Sequence, residues 1–253
     1  MIKVTFLGTG TSQGIPIIGS DHPVCKSNNP KDKRLRSSVL INWDDYNFLI
    51  DCGPDFRMQM LNANCKKIDA IIYTHEHSDH VAGLDDIRPF FFKQGKIPVY
   101  AHERVLNELK KRFYYIFDDD YNYPGSPKVE GNIISSSFRV KDKKITPINA
   151  FHKDLQVFGY RFENFAYLTD VKTIENKETN KLKNLDVLVI NALRIEEHYS
   201  HFNLQQALDF VDVVNPKKAY LTHISHMLGF HNDVEKKLPT NVFLAYDGLE
   251  ITI

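Results

Sequence analysis

The chain has 253 residues, 42% apolar and 25% charged, the balance of an ordinary globular protein. Lys+Arg and Asp+Glu both number 32, so the formal net charge is zero, which argues against a polyanion as the main partner while leaving room for a local basic patch. Cys25, Cys52 and Cys65 lie too far apart to suggest a disulfide framework, the opening MIKVTFLGTG lacks a signal peptide's apolar core, and no apolar run approaches the roughly 18 residues of a membrane span; a cytoplasmic protein without a membrane partner is expected.

In chain order, Ile2–Leu7 reads as the first strand. "GTGTSQG" at Gly8–Gly14 follows it, but its third glycine falls one place late for G-x-G-x-x-G and "IPIIG" follows instead of a helix, so a tight turn is predicted there and no nucleotide site. Ser38–Asn42 and Tyr46–Ile50 read as a hairpin about Asp44-Asp45. A helix over Phe56–Asn62, a strand over Ala70–Tyr73, a helix over Leu84–Phe92, a strand over Ile97–Tyr100 and a helix over Arg104–Phe113 follow. The aromatic and acidic stretch "YYIFDDDYNYPGSP", Tyr114–Pro127, interrupts the pattern; it reads as a solvated loop, or as a cap over a pocket or a contact in a homodimer. Strands at Phe165–Leu168, Val187–Ile190, Ala219–Leu221 and Val242–Leu244 complete the reading, with a helix over Leu204–Val214 capped by Asn203. No linker or repeat divides the chain, so one domain over residues 1–253 is expected.

The most informative segment is "YTHEHSDH", Tyr73–His80, where three histidines and two acids fall within six consecutive positions after an apolar run. In an extended chain residues two apart face the same side, so His75 and His77 aim together, and a turn or helix start brings Asp79 and His80 round to a neighbouring point. Imidazole and carboxylate suit zinc, manganese or iron, and without a cation such crowding is unfavourable for acids and histidines alike. Further donors end other apolar runs: Asp51 after "YNFLI", His152 after "TPINAF", Asp170 after "FAYLT" and His223 after "KAYLT". Taken singly each is an ordinary turn residue; together with the cluster they suffice for two ions.

These residues resemble the metallo-β-lactamase superfamily, whose hallmark is the His-x-His-x-Asp-His loop. Within it the chain is most similar to the phosphodiesterase branch typified by the phosphoribosyl 1,2-cyclic phosphate phosphodiesterase, through "FLGTGTSQGIP", "LIDCGPDFR", "THEHSDHVAGLDDIR", "FAYLTDV", "HYSHFNL", "LTHISH" and "AYDGLEI". The resemblance implies an α/β fold, the αββα sandwich of two facing mixed β-sheets flanked by helices. It implies one ion on His75, His77 and His152, a second on Asp79, His80 and His223, Asp170 between them, and Asp51 supporting the ligand loop from behind. Relatives in this branch hold a structural zinc on Cys-x-Cys-x-x-Cys plus a late histidine. Here Ser20 and His22 stand in place of two cysteines, while Cys25 and His226 match, and Asp21 is a substitute fourth ligand.

The expected chemistry is hydrolysis of a small, perhaps cyclic, phosphodiester by a hydroxide shared between two ions roughly 3.5–4 Å apart, its parent water acidified from about 15.7 towards 7. Asp79 and His201 are the predicted catalytic residues, with His201 of "HYSHFN", favoured over His198, donating a proton to the leaving oxygen. Arg194 is a candidate phosphate clamp, and Arg34 and Arg36 are weaker ones. Competing readings are a transfer-RNA 3′-processing ribonuclease, a thioester or lactam hydrolase, and a metal-dependent carrier without catalysis. The interval of 72 positions from His80 to His152 leaves no room for an inserted nucleic-acid-binding domain, so a nucleic-acid partner is disfavoured.

Overall fold

The computed structural model describes residues 1–120 and 123–253. From the N-terminus, β1 (Ile2–Gly8), β2 (Ser38–Trp43), β3 (Tyr46–Ile50), β4 (Ala70–Ile72), β5 (Ile97–Ala101) and β6 (Val129–Ile133) build one sheet. β7 (Phe138–Val140), β8 (Lys143–His152), β9 (Leu155–Phe162), β10 (Phe165–Tyr167), β11 (Val187–Asn191), β12 (Lys218–Thr222) and β13 (Val242–Leu244) build the other, and β14 (Glu250–Thr252) returns to the edge beside β1. Among the described residues each sheet has seven strands. β3, β4, β5 and β6 run parallel, as do β10 to β13, while β1–β3 and β7–β10 pair antiparallel.

Strand periodicity explains the layering. Ile2, Val4 and Phe6 of β1, Val39 and Ile41 of β2, Phe48 and Ile50 of β3, and Ala70 and Ile72 of β4 share one apolar cluster with Phe158, Tyr160, Phe162, Val187 and Val189 of the second sheet. The alternate residues Leu7, Leu40, Leu49 and Ile71 join a second cluster with the helices over Phe56–Asn62 and Glu103–Arg112. Leu188, Ile190, Ala219 and Leu221 turn outward to a third, packed on the helix over Leu204–Val214. Both faces of each sheet are thus buried, which is why these strands read as unbroken apolar runs. Helix, sheet, sheet and helix stack in that order, the predicted sandwich.

The helices over Phe56–Asn62 and Leu204–Val214 have their predicted bounds, and Asn203 caps the second in a reciprocal box with Gln206. The predicted helix over Leu84–Phe92 is two pieces, a 3-10 turn over Leu84–Ile87 and an α-helix over Arg88–Gln94. Pro89 has no N–H to extend the ladder from the preceding turn, so the α-helix begins anew around it. β6–β9 and β14 were not foreseen. Pro147 disguises β8, and it is tolerated because β7 pairs only with Lys143–Ile145 and leaves that side of Pro147 open. Of the Tyr114–Pro127 interruption, Tyr121 and Asn122 lie outside the described residues; Tyr114–Phe117 forms a helical turn that buries Ile116, and Tyr115 donates its hydroxyl to Asp85 at 2.8 Å. Among the described residues no helix is long and apolar enough to cross a membrane.

Candidate metal centre

Strand ends converge at one rim of the sandwich. Asp51 follows β3, His75 lies just beyond β4, His152 closes β8, Asp170 lies just beyond β10 and His223 follows β12. The carboxyl ends of parallel strands leave a crevice because the chain must turn away there into its crossover. Asp51, Asp170 and His223 make that turn in the left-handed region, at φ of 62°, 59° and 54°. Side chains other than glycine adopt it at a cost of about 1–2 kcal/mol, and such strain gathers at functional sites.

The histidine loop follows its predicted path. His75 and His77 share a side, their ring centroids 4.6 Å apart, and the helical turn over Ser78–Val81 swings Asp79 and His80 inward. The loop after β3 holds this turn in place: Cys52 N–H donates to the His80 carbonyl at 2.8 Å and Gly83 N–H to the Cys52 carbonyl at 2.9 Å. Gly53 is required there, since a Cβ on it would sit 2.1 Å from the Asp79 carbonyl oxygen. Asp51 is fully buried behind the loop; its Oδ1 accepts from Thr74 N–H at 2.8 Å, and its Oδ2 accepts from the Thr74 hydroxyl at 2.8 Å and faces His80 Nδ1 at 2.7 Å.

Among the described residues, three groups of donors have their ligand atoms within 4.8 Å of one another: His75, His80 and Asp170; Asp79, His80 and His223; His152, Asp170 and His201. The second coincides with an implied ligand set. The set His75, His77 and His152 is looser: the His77 ring lies 5.2 Å from that of His152, and His75 Nε2 faces His77 Nδ1 at 3.0 Å. The donors fit divalent cations. His80 Nε2 stands 3.2 Å from both Asp79 Oδ2 and Asp170 Oδ2, and His223 Nε2 stands 3.1 Å from Asp170 Oδ1. Yet both ring nitrogens are buried without a properly directed hydrogen bond. Ion-pair distance without hydrogen-bond direction suits atoms that share a cation. On the outer side, His80 Nδ1 rests on Asp51 and His152 Nδ1 on the Ser200 carbonyl at 2.8 Å, which turns each Nε2 lone pair inward.

The local field follows from burial and crowding. Burial pushes His75 well below the ordinary imidazole range and lowers His152, while it lowers His201 to about 2 against the pull of Asp170. Burial alone would raise the Asp79 and Asp170 carboxyls, but the adjoining His80 and His223 rings outweigh it and hold both acids low. The same carboxylates raise His80 well above its usual value and His223 to about 9, each against the effect of burial.

A cleft of about 320 Å³ opens over this rim, walled by His77, Asp79, His152, Asp170 and His223, by Leu193 and the His198–His201 loop, and by Thr11 and Ser12. The glycine-rich turn is therefore a wall of the site, a role that its failed nucleotide motif concealed. Glu76, counted in the sequence only as one of the cluster's acids, has a structural partner: its carboxylate pairs with Arg104, whose other nitrogen donates to the Gln156 carbonyl, tying the metal loop to the hairpin that carries His152. No sequence signal linked these positions, which are 28 and 52 residues apart.

Other expectations are redirected. Arg194 donates to the carbonyls of Glu196 at 3.3 Å and Glu197 at 2.8 Å and does not line the cleft, so it shapes the His198 loop instead of clamping phosphate. Arg34 is buried, donating to the Thr9 hydroxyl and the Ala245 carbonyl, and Arg36 pairs with Asp55 at 2.8 Å. His22 and His226 meet edge to face, ring centroids 4.7 Å apart, and Cys25 is buried nearby in sequence, but these three do not form a compact donor group among the described residues. A larger groove of about 450 Å³ beside Trp43, Arg139 and Arg161 gathers none of the predicted site residues.

A sequence profile for the family described as a beta-lactamase superfamily domain matches residues 46–224. The chain belongs to the metallo-β-lactamase superfamily. Within it the chain falls in the PhnP-like branch. A solved structure described as a new diphosphatase from the PhnP family is 38% identical, with all of this chain matched to 98% of that one at a TM-score of 0.93. An octanoyltransferase of Porphyromonas gingivalis is 38% identical over the whole of this chain and 52% of its own length. A ribonuclease Z of Clostridioides difficile is 44% identical over 54% of this chain and 47% of its own. The chain spans about half the length of each of these two relatives.

Proposed function

We propose that the chain is a metal-dependent hydrolase that cleaves a small phosphodiester, and that residues 1–253 act as one catalytic domain, since the inter-sheet core draws on both halves of the chain. The observation that carries this reading is Asp170. One buried carboxylate faces His80 and His223 at 3.2 and 3.1 Å and His201 at 3.7 Å, and belongs to two of the donor groups. That is the environment of a ligand shared by two cations. Two divalent ions (zinc, manganese or iron) bound there would supply an activated water and neutralise charge on the phosphoryl oxygens. His75, His77 and His152 would hold one ion and Asp79, His80 and His223 the other, with Asp170 available to both, while Asp51 fixes the His80 tautomer. His201 protonates the leaving oxygen. Its burial keeps it neutral in the resting site, and an arriving phosphoryl anion favours the imidazolium that can donate.

The diphosphatase relative supports a second substrate with the same chemistry, a P–O–P anhydride. Octanoyl transfer is not favoured, because the cleft lining holds no cysteine or lysine to carry an acyl group. A ribonuclease reading is weakened by the absence of any Arg or Lys among the lining residues and by the zero net charge.

Metal-reconstituted protein should hydrolyse bis(p-nitrophenyl) phosphate or a dinucleoside diphosphate in preference to p-nitrophenyl phosphate, a lactam or octanoyl thioester. Turnover confined to the thioester would overturn the proposal.

A further inference from the structure

Tyr199 is the large exposed side chain of the cleft, 72% accessible in a lining that is otherwise mostly polar. Its ring lies against that of His198, centroids 4.5 Å apart at 33°, and the Lys153 ammonium sits 5.7 Å from its centroid. A file of rings leads inward from it, His198 to His201 at 5.2 Å and His201 to His223 at 4.8 Å. The backbone beneath Tyr199 is fastened on both sides. Arg194 holds the Glu197 carbonyl at 2.8 Å, His152 Nδ1 holds the Ser200 carbonyl at 2.8 Å, and Leu193 N–H donates to the Phe202 carbonyl at 3.0 Å. An aromatic face presented to water on an anchored loop is a binding platform prepared in advance.

We propose that Tyr199 is a stacking subsite for the planar ring of the substrate, and that this ring is a nucleobase joined through its ribose to the phosphorus held at the metal centre. The inference rests on the phosphodiesterase reading for the position of that phosphorus. A nucleotide supplies the required pieces together: an anionic ester for the inner donors, a polar sugar for Thr11 and Ser12, and a flat face for Tyr199. The cleft, about 320 Å³, suits a small nucleotide and not a length of RNA.

Calorimetric titration of metal-loaded protein with AMP and with ribose 5-phosphate tests it without requiring turnover. Wild type should bind AMP more tightly, Tyr199→Ala should weaken AMP by about 5- to 150-fold, the range that stacking of a base on an aromatic is worth, and ribose 5-phosphate should be unaffected. Tyr199→Phe, which keeps the face and loses the hydroxyl, should restore AMP binding. Equal affinity of wild type for the two ligands, or equal weakening of both by the alanine variant, would overturn the subsite. So would a trinucleotide that binds more than about tenfold tighter than AMP, because it would place the ligand as an RNA segment. Preference for AMP in a protein that hydrolyses no diester would leave the subsite standing and remove the phosphodiesterase reading; diester turnover indifferent to the base would do the reverse.

Discussion

Asp51→Asn replaces a buried carboxylate by a neutral amide of the same shape that accepts at one end and donates at the other. Thr74 N–H is a donor that cannot reverse, so the amide oxygen must take the place of Oδ1. The amide NH₂ then occupies the place of Oδ2, where it faces His80 Nδ1 at 2.7 Å and the Thr74 hydroxyl at 2.8 Å. His80 must accept at Nδ1, which moves its proton to Nε2, the nitrogen 3.2 Å from Asp79 and Asp170. A ring protonated there cannot ligate. Loss of such an outer oxygen partner typically costs 10–100-fold in metal affinity, about 1.4–2.7 kcal/mol, and here the ion affected is the one assigned to Asp79, His80 and His223. Competition with a chromophoric chelator measures the affinities, and thermal unfolding of the metal-free protein checks that the fold survives. Two ions bound as tightly as in wild type by a folded variant would refute the tautomer argument.

Arg104→Met should weaken the ion assigned to His75, His77 and His152 and lower stability by about 1–3 kcal/mol, because the Glu76 carboxylate and the Gln156 carbonyl lose the cation that ties them together; unchanged metal affinity would remove that positioning role. His201→Ala should slow a diester with an alkoxide leaving group far more than one releasing nitrophenolate, and equal slowing would end its assignment as proton donor. Asn203→Ala breaks the box in which Asn203 Oδ1 accepts from Gln206 N–H at 2.9 Å, and should cost about 1 kcal/mol in urea unfolding with turnover unchanged; loss of turnover without loss of stability would refute it. Asp247 is raised from 3.8 to about 6, chiefly by burial, with the Leu35 N–H and the Thr9 hydroxyl opposing. Its folded state keeps a proton that the unfolded chain releases, so this stabilisation is complete below about pH 4 and is lost as pH rises to about 6, on the order of 3 kcal/mol. The stability difference between wild type and Asp247→Asn should fall by about that much across the window; parallel curves would refute it.

Most of the strands and the donors at strand ends were legible in the chain, because periodicity and the residue that stops an apolar run are local properties. His75, His77, Asp79 and His80 could be read together since six consecutive positions share one turn. β8 was hidden because its tolerance of Pro147 depends on where β7 ends, a fact about a neighbour. The tie from Glu76 through Arg104 to Gln156, the use of Thr11 and Ser12 as a wall, and the turning of Arg194 onto its own loop were settled only by packing. A side chain's chemistry is written in the sequence, but which partner it meets across 28 or 52 residues is decided when the sheets close on their shared core and leave each charged group a single direction in which to find one.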